Sequence, residues 1–452
     1  GTLKVDDKPG FLYDSLANSQ FRQVLFDLVA RRRHVRTDSG RLYGRTATGF
    51  AGLLGEKPYP LSSQLGKAEQ SNSAVIYDNS VFLKFYRRME DGVHPEVEIG
   101  KFLGRTAFRQ IAPLAGTIEY RHSSGEHVTL ALAQGFVASQ GDAWTFTLNE
   151  VTRFLDRVLA HRDEMTSPAL KETAGPPAGE TAGLAPELLE LLRGFFAEMV
   201  ALLGQRTGEF HLALSSRSDD AAFAPEPFGL LYQRSVYQSM RSRARKTLDL
   251  LRRNLTKLPE ELRPDAEAVL AHDQDVLALL HQFTSEKFLT WKTRIHGDYH
   301  LGQVLYTGQD FVIIDFEGEP VKSLSERRLK QSPLKDVAGM LRSFYYAAYA
   351  VLMQRSQVRA EDIPFLVPWA DAWYRYNSGV FLAAYEKSVA GSGLVPPEAA
   401  HLQIMLQTFM LDKAIYELGY ELNNRPDWVG IPMQGILGLL KAGGSAPDSA
   451  AG

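Results

Sequence analysis

The chain has 452 residues, of which 44% are apolar and 23% charged, with a formal net charge of −3. That length covers two or three domains with a sizeable core, and the near-neutral balance gives no electrostatic reason to expect nucleic acid or an anionic membrane as partner. The absence of cysteine excludes disulfides, thiolate catalysis and thiolate metal sites, and it suits a reducing cytoplasm. Apolar runs such as "FYYAAYAVLM" at 344–353 are too short to span a bilayer. The N-terminus has no basic start followed by an apolar stretch, so no signal peptide is expected. Gly1 in place of an initiator Met points to a processed or trimmed chain, one part of a longer polypeptide.

In chain order, the first sixty residues read as a small unit of their own: an amphipathic helix over 19–33, ending in the cations of "ARRRH", then turn-rich sequence to "GEKPYPL". "SAVIYDNSVFLKFY" (73–86) predicts a β-hairpin turning at Asp78-Asn79. A helix follows over 95–103 with Pro95 in its first turn, then strands at "AGTIEYRH" and "HVTLALAQGFV". From about Trp144 the pattern turns helical. The segment 167–187 is a linker by composition, and helices are expected near 187–204, 231–257, 264–290, 333–354, 364–389 and 398–422. The basic helix 233–254, with Arg241, Arg243, Arg245, Arg252 and Arg253, reads as a solvated face, and the last eleven residues as a disordered tail.

The helical part is interrupted by "TRIHGDYHLGQVLYTGQDFVIIDFEGEP" (293–320). Two apolar runs, Val304–Tyr306 and Phe311–Ile314, flank a Gly-containing turn and predict a hairpin in which Thr307 pairs with Asp310. That register brings Gln303 and Asp315 to one end, with Asp298 in the loop entering it. A loop Asp, an amide five residues later and a second Asp beyond a hairpin are the layout of a phosphoryl-transfer site. In that reading Asp298 accepts the substrate hydroxyl proton, while Gln303 and Asp315 are oxygen ligands for Mg²⁺, with Glu317 a further ligand or a holder of bound water. The competing reading takes the alternating His296, Asp298 and His300 as a Zn²⁺ or Fe site of a metallohydrolase. The hairpin favours phosphoryl transfer, with His296 and His300 supporting the loop.

Such a site needs an upstream lysine to hold the phosphates of ATP. Lys84 lies on the second strand of the 73–86 hairpin, where the expected register places Ser73 opposite it. The loop "GKAEQSNS" then lies beside Lys84, with Ser71, Asn72 and Ser73 at the phosphates. The helix at 95–103 carries Glu96 and Glu98, of which Glu98 is the favoured partner of Lys84. Gln134 to Phe136 would offer backbone groups to adenine.

Together "EQSNSAV", "FLKFYRR", "HPEVEIGKFL", "IHGDYHLGQVL", "IDFEGEP" and "YELNNRPDW" resemble the bacterial maltokinases, in order from about residue 12 to 434. The resemblance implies an α+β, two-lobed protein-kinase-like fold. Its N-terminal lobe would hold an antiparallel sheet and a small cap, and its C-terminal lobe would be mostly helical. The corresponding parts are a cap at 1–60, the ATP-binding part at 61–138, the helical lobe at 139–441 and a tail at 442–452. The resemblance also implies Mg²⁺- and ATP-dependent phosphorylation of maltose at its anomeric hydroxyl, giving maltose 1-phosphate for α-glucan synthesis. Maltokinases occur alone or fused to trehalose synthase, so that enzyme is the expected partner, fused or associated. Related aminosugar kinases of the glucosamine type share the nucleotide half and remain the alternative, as does an inactive kinase fold serving as a binding module. Carried onto this chain, the sugar site would be 412–428. There Tyr416 and Tyr420 share one helical face, Glu417 and Glu421 adjoin it, Arg425 follows, and His300 joins them from the loop.

Overall fold

The computed structural model describes residues 1–6, 8–66, 72–163, 168, 186–353 and 358–444. They form two compact units, Gly1–Ser139 with Val312–Arg328, and Gln140–Phe311 with Leu329–Gly452.

In the first unit, β1 (Thr2–Val5) and β2 (Lys8–Phe11) make a separate hairpin. Seven further strands form one antiparallel sheet: β3 (His34–Thr37), β4 (Gly40–Thr46), β5 (Ser63–Leu65), β6 (Asn72–Tyr77), β7 (Val81–Tyr86), β8 (Leu114–His122) and β9 (His127–Gly135). Their order is β3-β4-β8-β9-β7-β6-β5, so two strands from the first sixty residues extend the same sheet. Helix α1 (Ser19–Ala30) starts where the Asn18 side chain accepts the Gln20 and Phe21 N–H groups, at 2.8 and 3.2 Å. Its buried Leu25, Phe26, Leu28 and Val29 pack with Val75, Tyr77, Leu83 and Ile118 of the sheet, the Phe26 and Tyr77 rings tilted with centres 4.8 Å apart. Short α2 (Phe50–Leu54) and α3 (Pro95–Leu103) complete this part.

The expected 73–86 hairpin is present with its turn at Asp78 and Asn79, both at positive φ. The pairing differs by one residue. Tyr77 faces Val81, because Ser80 is accommodated in the turn, and Ala74 rather than Ser73 lies opposite Lys84. Since side chains alternate along a strand, this puts Asn72 and Ala74 on the Lys84 face and Ser73 on the other.

The second unit is mostly helical. After β10 (Gly141–Asp142) come α4 (Ala143–Ala160), α5 (Pro186–Leu192) and α6 (Phe195–Leu214). Then follow β11 (Glu226–Pro227), α7 (Leu230–Asn254), α8 (Arg263–Ala271), α9 (Asp273–Gln282), β12 (Trp291–Lys292) and β13 (Val304–Tyr306). The chain then runs through β14 (Phe311–Ile313), at the boundary between the units, and α10 (Leu324–Arg327), which belongs to the first unit, before the second unit's α11 (Leu334–Met353), α12 (Ile363–Val389), α13 (Ala399–Asn424) and α14 (Gly430–Gly444). The helix expected at 187–204 is two helices broken at Gly194, whose φ of 139° no other residue type adopts readily. The one expected at 264–290 breaks at His272. Along α7, Arg252 pairs with Asp249 at 2.8 Å, whereas Arg243 turns to Asp412 of α13 at 3.5 Å. Nearly all of the linker at 167–187, and the tail from 445 onward, lie outside the described residues; 442–444 are helical. Among the described residues no helix is long and apolar enough to cross a membrane.

Candidate active site

The residues picked out by their chemistry fall into two groups, one in each unit. In the first, Lys84 projects from β7 and meets α3. Glu96 and Glu98 are two residues apart, about 200° around a helix, so only one can face the strand. Glu96 does: its Oε2 lies 3.3 Å from Lys84 Nζ, with the two side chains 1% and 5% exposed. Glu98 points away and takes a two-pronged ion pair from Arg328, at 2.7 and 2.9 Å. The expected Lys84–Glu98 pair is thus corrected to Lys84–Glu96.

The segment after β14 returns two more carboxylates to Lys84. Asp315 forms a close ion pair with it, and Glu317 Oε1 lies 2.5 Å from Nζ. Glu317 also accepts from Asn72 Nδ2 at 2.8 Å, and the Tyr86 hydroxyl donates to Glu96 at 2.7 Å. Asp315 has a φ of 65°, a left-handed conformation that Asp adopts more readily than most residues.

One ammonium among three carboxylates leaves two negative charges in excess. Burial pushes the Glu96 carboxyl up to about 7, with Asp315 and Glu317 adding to the rise and Lys84 opposing it. Glu317 is also raised, mainly by burial. Burial alone would lower the Lys84 ammonium, but the three carboxylates hold it well above its ordinary range. Oxygens of Glu96, Asp315 and Glu317 lie within 4.8 Å of one another. This set of hard oxygen donors with surplus negative charge fits a hard divalent cation such as Mg²⁺.

The other nucleotide positions expected from sequence are less uniform. Ser71 lies outside the described residues. The Ser73 hydroxyl accepts from Arg87 Nε at 2.9 Å, on the face away from Lys84, which corrects its expected place beside the phosphates. Gln134 is a buried residue of β9, paired with Phe82 and Leu114. The Gly135 and Phe136 N–H groups donate to Pro113 and Ser80 carbonyls at 2.8 and 2.9 Å.

The second group is built on helix α11. Asp336, Gly339 and Ser343 recur at i, i+3 and i+7, on one face of that helix. The Asp336 carboxylate accepts the His296 and Gly297 N–H groups at 2.7 and 2.9 Å, and His211 Nε2 lies 3.2 Å from it. Ser343 Oγ accepts the Leu301 N–H at 3.1 Å. Gly339 lets the Tyr299 carbonyl approach so closely that a Cβ there would sit 2.5 Å from its oxygen. The Tyr299 ring is buried, its hydroxyl 2.9 Å from Thr207 Oγ1 of α6.

Asp298 is displayed by this fixed loop. Lys413 Nζ of α13 is 3.3 Å from Oδ1, and His300 Nε2 is 3.9 Å from Oδ2. Burial pushes the Asp298 carboxyl up, but Lys413, His300 and His296 more than offset it and hold it below the ordinary value. His300 Nδ1 accepts the Gly302 N–H at 3.1 Å and caps the short turn ending at Gln303. The next turn closes as expected, with Thr307 N–H donating to Asp310 at 2.9 Å.

Beyond Lys413, α13 presents Tyr416, Glu417 and Tyr420 along one face. Lys413 and Arg243 lie over the Tyr416 ring at 4.9 and 5.6 Å. Glu417 takes two hydrogen bonds from the buried Arg342, at 2.7 and 3.0 Å. Buried Glu421 pairs with Arg425 at 2.6 Å, and the Arg425 guanidinium sits 5.6 Å from the centre of the half-exposed Tyr420 ring and 5.0 Å from that of Trp428. Sequence reasoning had missed Lys413, Asp336 and Arg342. The available signal is a charged residue in an apolar helical stretch, alone at Arg342 and beside an opposite charge in Lys335-Asp336 and Asp412-Lys413.

No protein-family model matches the chain. Among curated proteins it is similar to a glucosamine kinase of Mycolicibacterium smegmatis, 23% identical over 382 residues that cover 83% of this chain and 79% of that one. A glucosamine kinase of Streptacidiphilus jiangxiensis is 22% identical over 397 residues, 87% of this chain and 75% of that one. Among solved structures, a glucosamine kinase matches with a TM-score of 0.60 and 20% identity, over 90% of this chain and 92% of that one. Another, a glucosamine kinase in complex with glucosamine, ADP and inorganic phosphate, gives 0.60 at 18% identity, over 89% and 86% of the two chains. These likenesses show the fold: two-lobed, α+β and protein-kinase-like, with an N-terminal sheet lobe and a mostly helical C-terminal lobe.

Proposed function

We propose that the protein transfers the γ-phosphoryl group of ATP to a hydroxyl of a sugar or aminosugar, with Mg²⁺ as the metal. The observation that carries this reading is the buried Lys84 among Glu96, Asp315 and Glu317. It offers a cation for phosphate oxygens and an anionic seat for a metal in one place. Asp315 and Glu317 would hold Mg²⁺, beside Glu96. When bound, the metal neutralises charge developing on the transferred phosphoryl group.

Asp298 is the proposed acceptor-side group. Its carboxyl stays ionised at neutral pH because Lys413 and the two histidines offset its burial, so it accepts a hydrogen bond from the sugar hydroxyl. A carboxylate with a lowered pKa is a weak base, so its larger contribution is orientation. That suits a loose transition state, in which the acceptor proton leaves late.

For the acceptor, α13 and the residue after it offer the half-exposed ring of Tyr420 and the Arg425 guanidinium, which the buried Glu421 holds in place. An aminosugar of the glucosamine type is the preferred acceptor, because the two curated relatives quoted are both named glucosamine kinases. Maltose is the second reading, favoured by the motifs "HGDYHLGQ" and "DFEGEP".

The test is ADP release with Mg²⁺-ATP and, separately, glucosamine, maltose, glucose, trehalose and an aminoglycoside. Release with glucosamine above the others is the expected result, and release with maltose alone would replace the acceptor while keeping the chemistry. Binding of Mg²⁺-ATP with no release for any acceptor would favour a nucleotide-binding module without transferase activity.

A further inference from the structure

The first unit holds a cleft of about 990 Å³ bounded by β4, α3 and the loop that follows α3. That volume is in the range of small-molecule sites. Its wall carries Arg32, Arg45, Lys101, Arg105 and Arg109, and no carboxylate. Five cations around one opening, in a chain whose net charge is −3, are a local departure from its balance.

Three of the five are partly compensated. Arg45 lies 3.1 Å from Glu119, Arg32 Nε donates to Thr46 Oγ1 at 2.6 Å, and Arg109 donates to the Thr106 carbonyl at 2.6 Å. Lys101 and Arg105, four residues apart at the end of α3, make no ion pair among the described residues. Like charges at that spacing repel each other by a few tenths of a kcal/mol, a cost that an anion between them would turn into a gain. Arginine forks converging from several elements match phosphate oxygens in shape as well as in charge.

The cleft also shares a helix with the carboxylate cluster. The first turn of α3 carries Glu96 to Lys84, while Gly100 and Lys101 near its end line the cleft. We infer that this cleft binds a phosphorylated small molecule, and that α3 carries its occupancy to the Lys84–Glu96 pair. The site stands apart from the proposed transfer activity and is tested without it.

The test is equilibrium binding of inorganic pyrophosphate and, separately, of glucose 1-phosphate to the full chain. The two probes separate a diphosphate ligand from a sugar-phosphate ligand. Wild type is compared with the double variant Lys101→Gln/Arg105→Gln, with Lys84→Met, and with Arg253→Gln as a control for general charge loss. All the replaced cleft residues are exposed, so folding is preserved, which the melting temperature checks.

The expected result is one site per chain, at least tenfold weaker in the double variant, unchanged in Arg253→Gln, and still occupied in Lys84→Met with an affinity shifted by loss of the Lys84–Glu96 pair. Bound probe should also slow hydrogen exchange in residues 43–48 and along α3. Failure of both probes to bind wild type would overturn the inference, as would affinity unchanged in the double variant. Protection confined to 72–86 and 315–317, with loss in Lys84→Met, would place the anion at the carboxylate cluster and overturn it equally.

Discussion

Lys84 and Asp298 are both held in place by their surroundings, but by opposite means. Lys84 is fixed by charge: three carboxylates converge on it, and they carry more negative charge than it can balance. Asp298 is fixed by backbone: its loop is pinned to α11 through Asp336, Gly339 and Ser343, and Lys413 with two histidines favours its charged form. The first arrangement is suited to rearranging when a cation and phosphates arrive. The second is already in place, as positioning of an acceptor requires.

The sharpest test of this contrast is Asp298→Asn, which keeps the shape and removes the charge. Turnover should fall by about 10³-fold, with Mg²⁺-ATP affinity unchanged by calorimetry. Near-normal turnover would remove Asp298 from its role. Next in size is Asp336→Ala, which leaves the buried His296 N–H and the half-buried Gly297 N–H without their acceptor. It should lower stability by about 3 kcal/mol in denaturant unfolding while leaving Mg²⁺ binding by the folded protein intact. Gly339→Ala brings a Cβ against the Tyr299 carbonyl and should cost about 1–3 kcal/mol, with turnover falling more than nucleotide affinity. An unchanged turnover would show that the loop does not need α11 at that spacing.

The cluster in the first unit should instead respond to pH. Glu96 has its folded value raised to about 7, from an ordinary 4.5. Its contribution to stability is therefore full below pH 4.5 and is lost as the pH rises through about 7. Glu96→Gln should flatten that part of the melting profile in metal-free buffer by a few degrees, and an unchanged slope would show that the carboxyl titrates elsewhere. The smallest effect is expected for Glu98→Gln, which breaks the partly exposed pair with Arg328 and should change stability by about 1 kcal/mol or less. A larger loss of nucleotide affinity from Glu98→Gln than from Glu96→Gln would reverse the assignment made from the ion pairs.

Much of this contrast was visible in the residues. The strand bearing Lys84, the turn at Thr307–Asp310 and most of the long helices follow from apolar spacing. What failed did so for identifiable reasons. The choice between Glu96 and Glu98 depends on the phase of α3 against β7, which two acidic residues in one first turn do not encode. The strand register slipped because Ser80 joins the turn, and one residue is enough to move Ser73 to the opposite face. β3 went unread because all four of its residues are exposed and show no alternation. Lys413 and Asp336 sit in helices whose pattern says only that they are helices, and their partners come from loops far away in sequence.

Helix α11 also sets what kind of change the chain can absorb. Substituting an outward residue of α11 leaves its spacing intact, whereas inserting one residue between Asp336 and Ser343 would turn one contact about 100° away from the other. No rotamer change can restore that alignment. Among descendants of this sequence, length should therefore vary freely in the connecting segments and hardly at all between these two positions. A count of residues in α11 then becomes a simple marker of whether a diverged copy still holds its Asp298 loop in place.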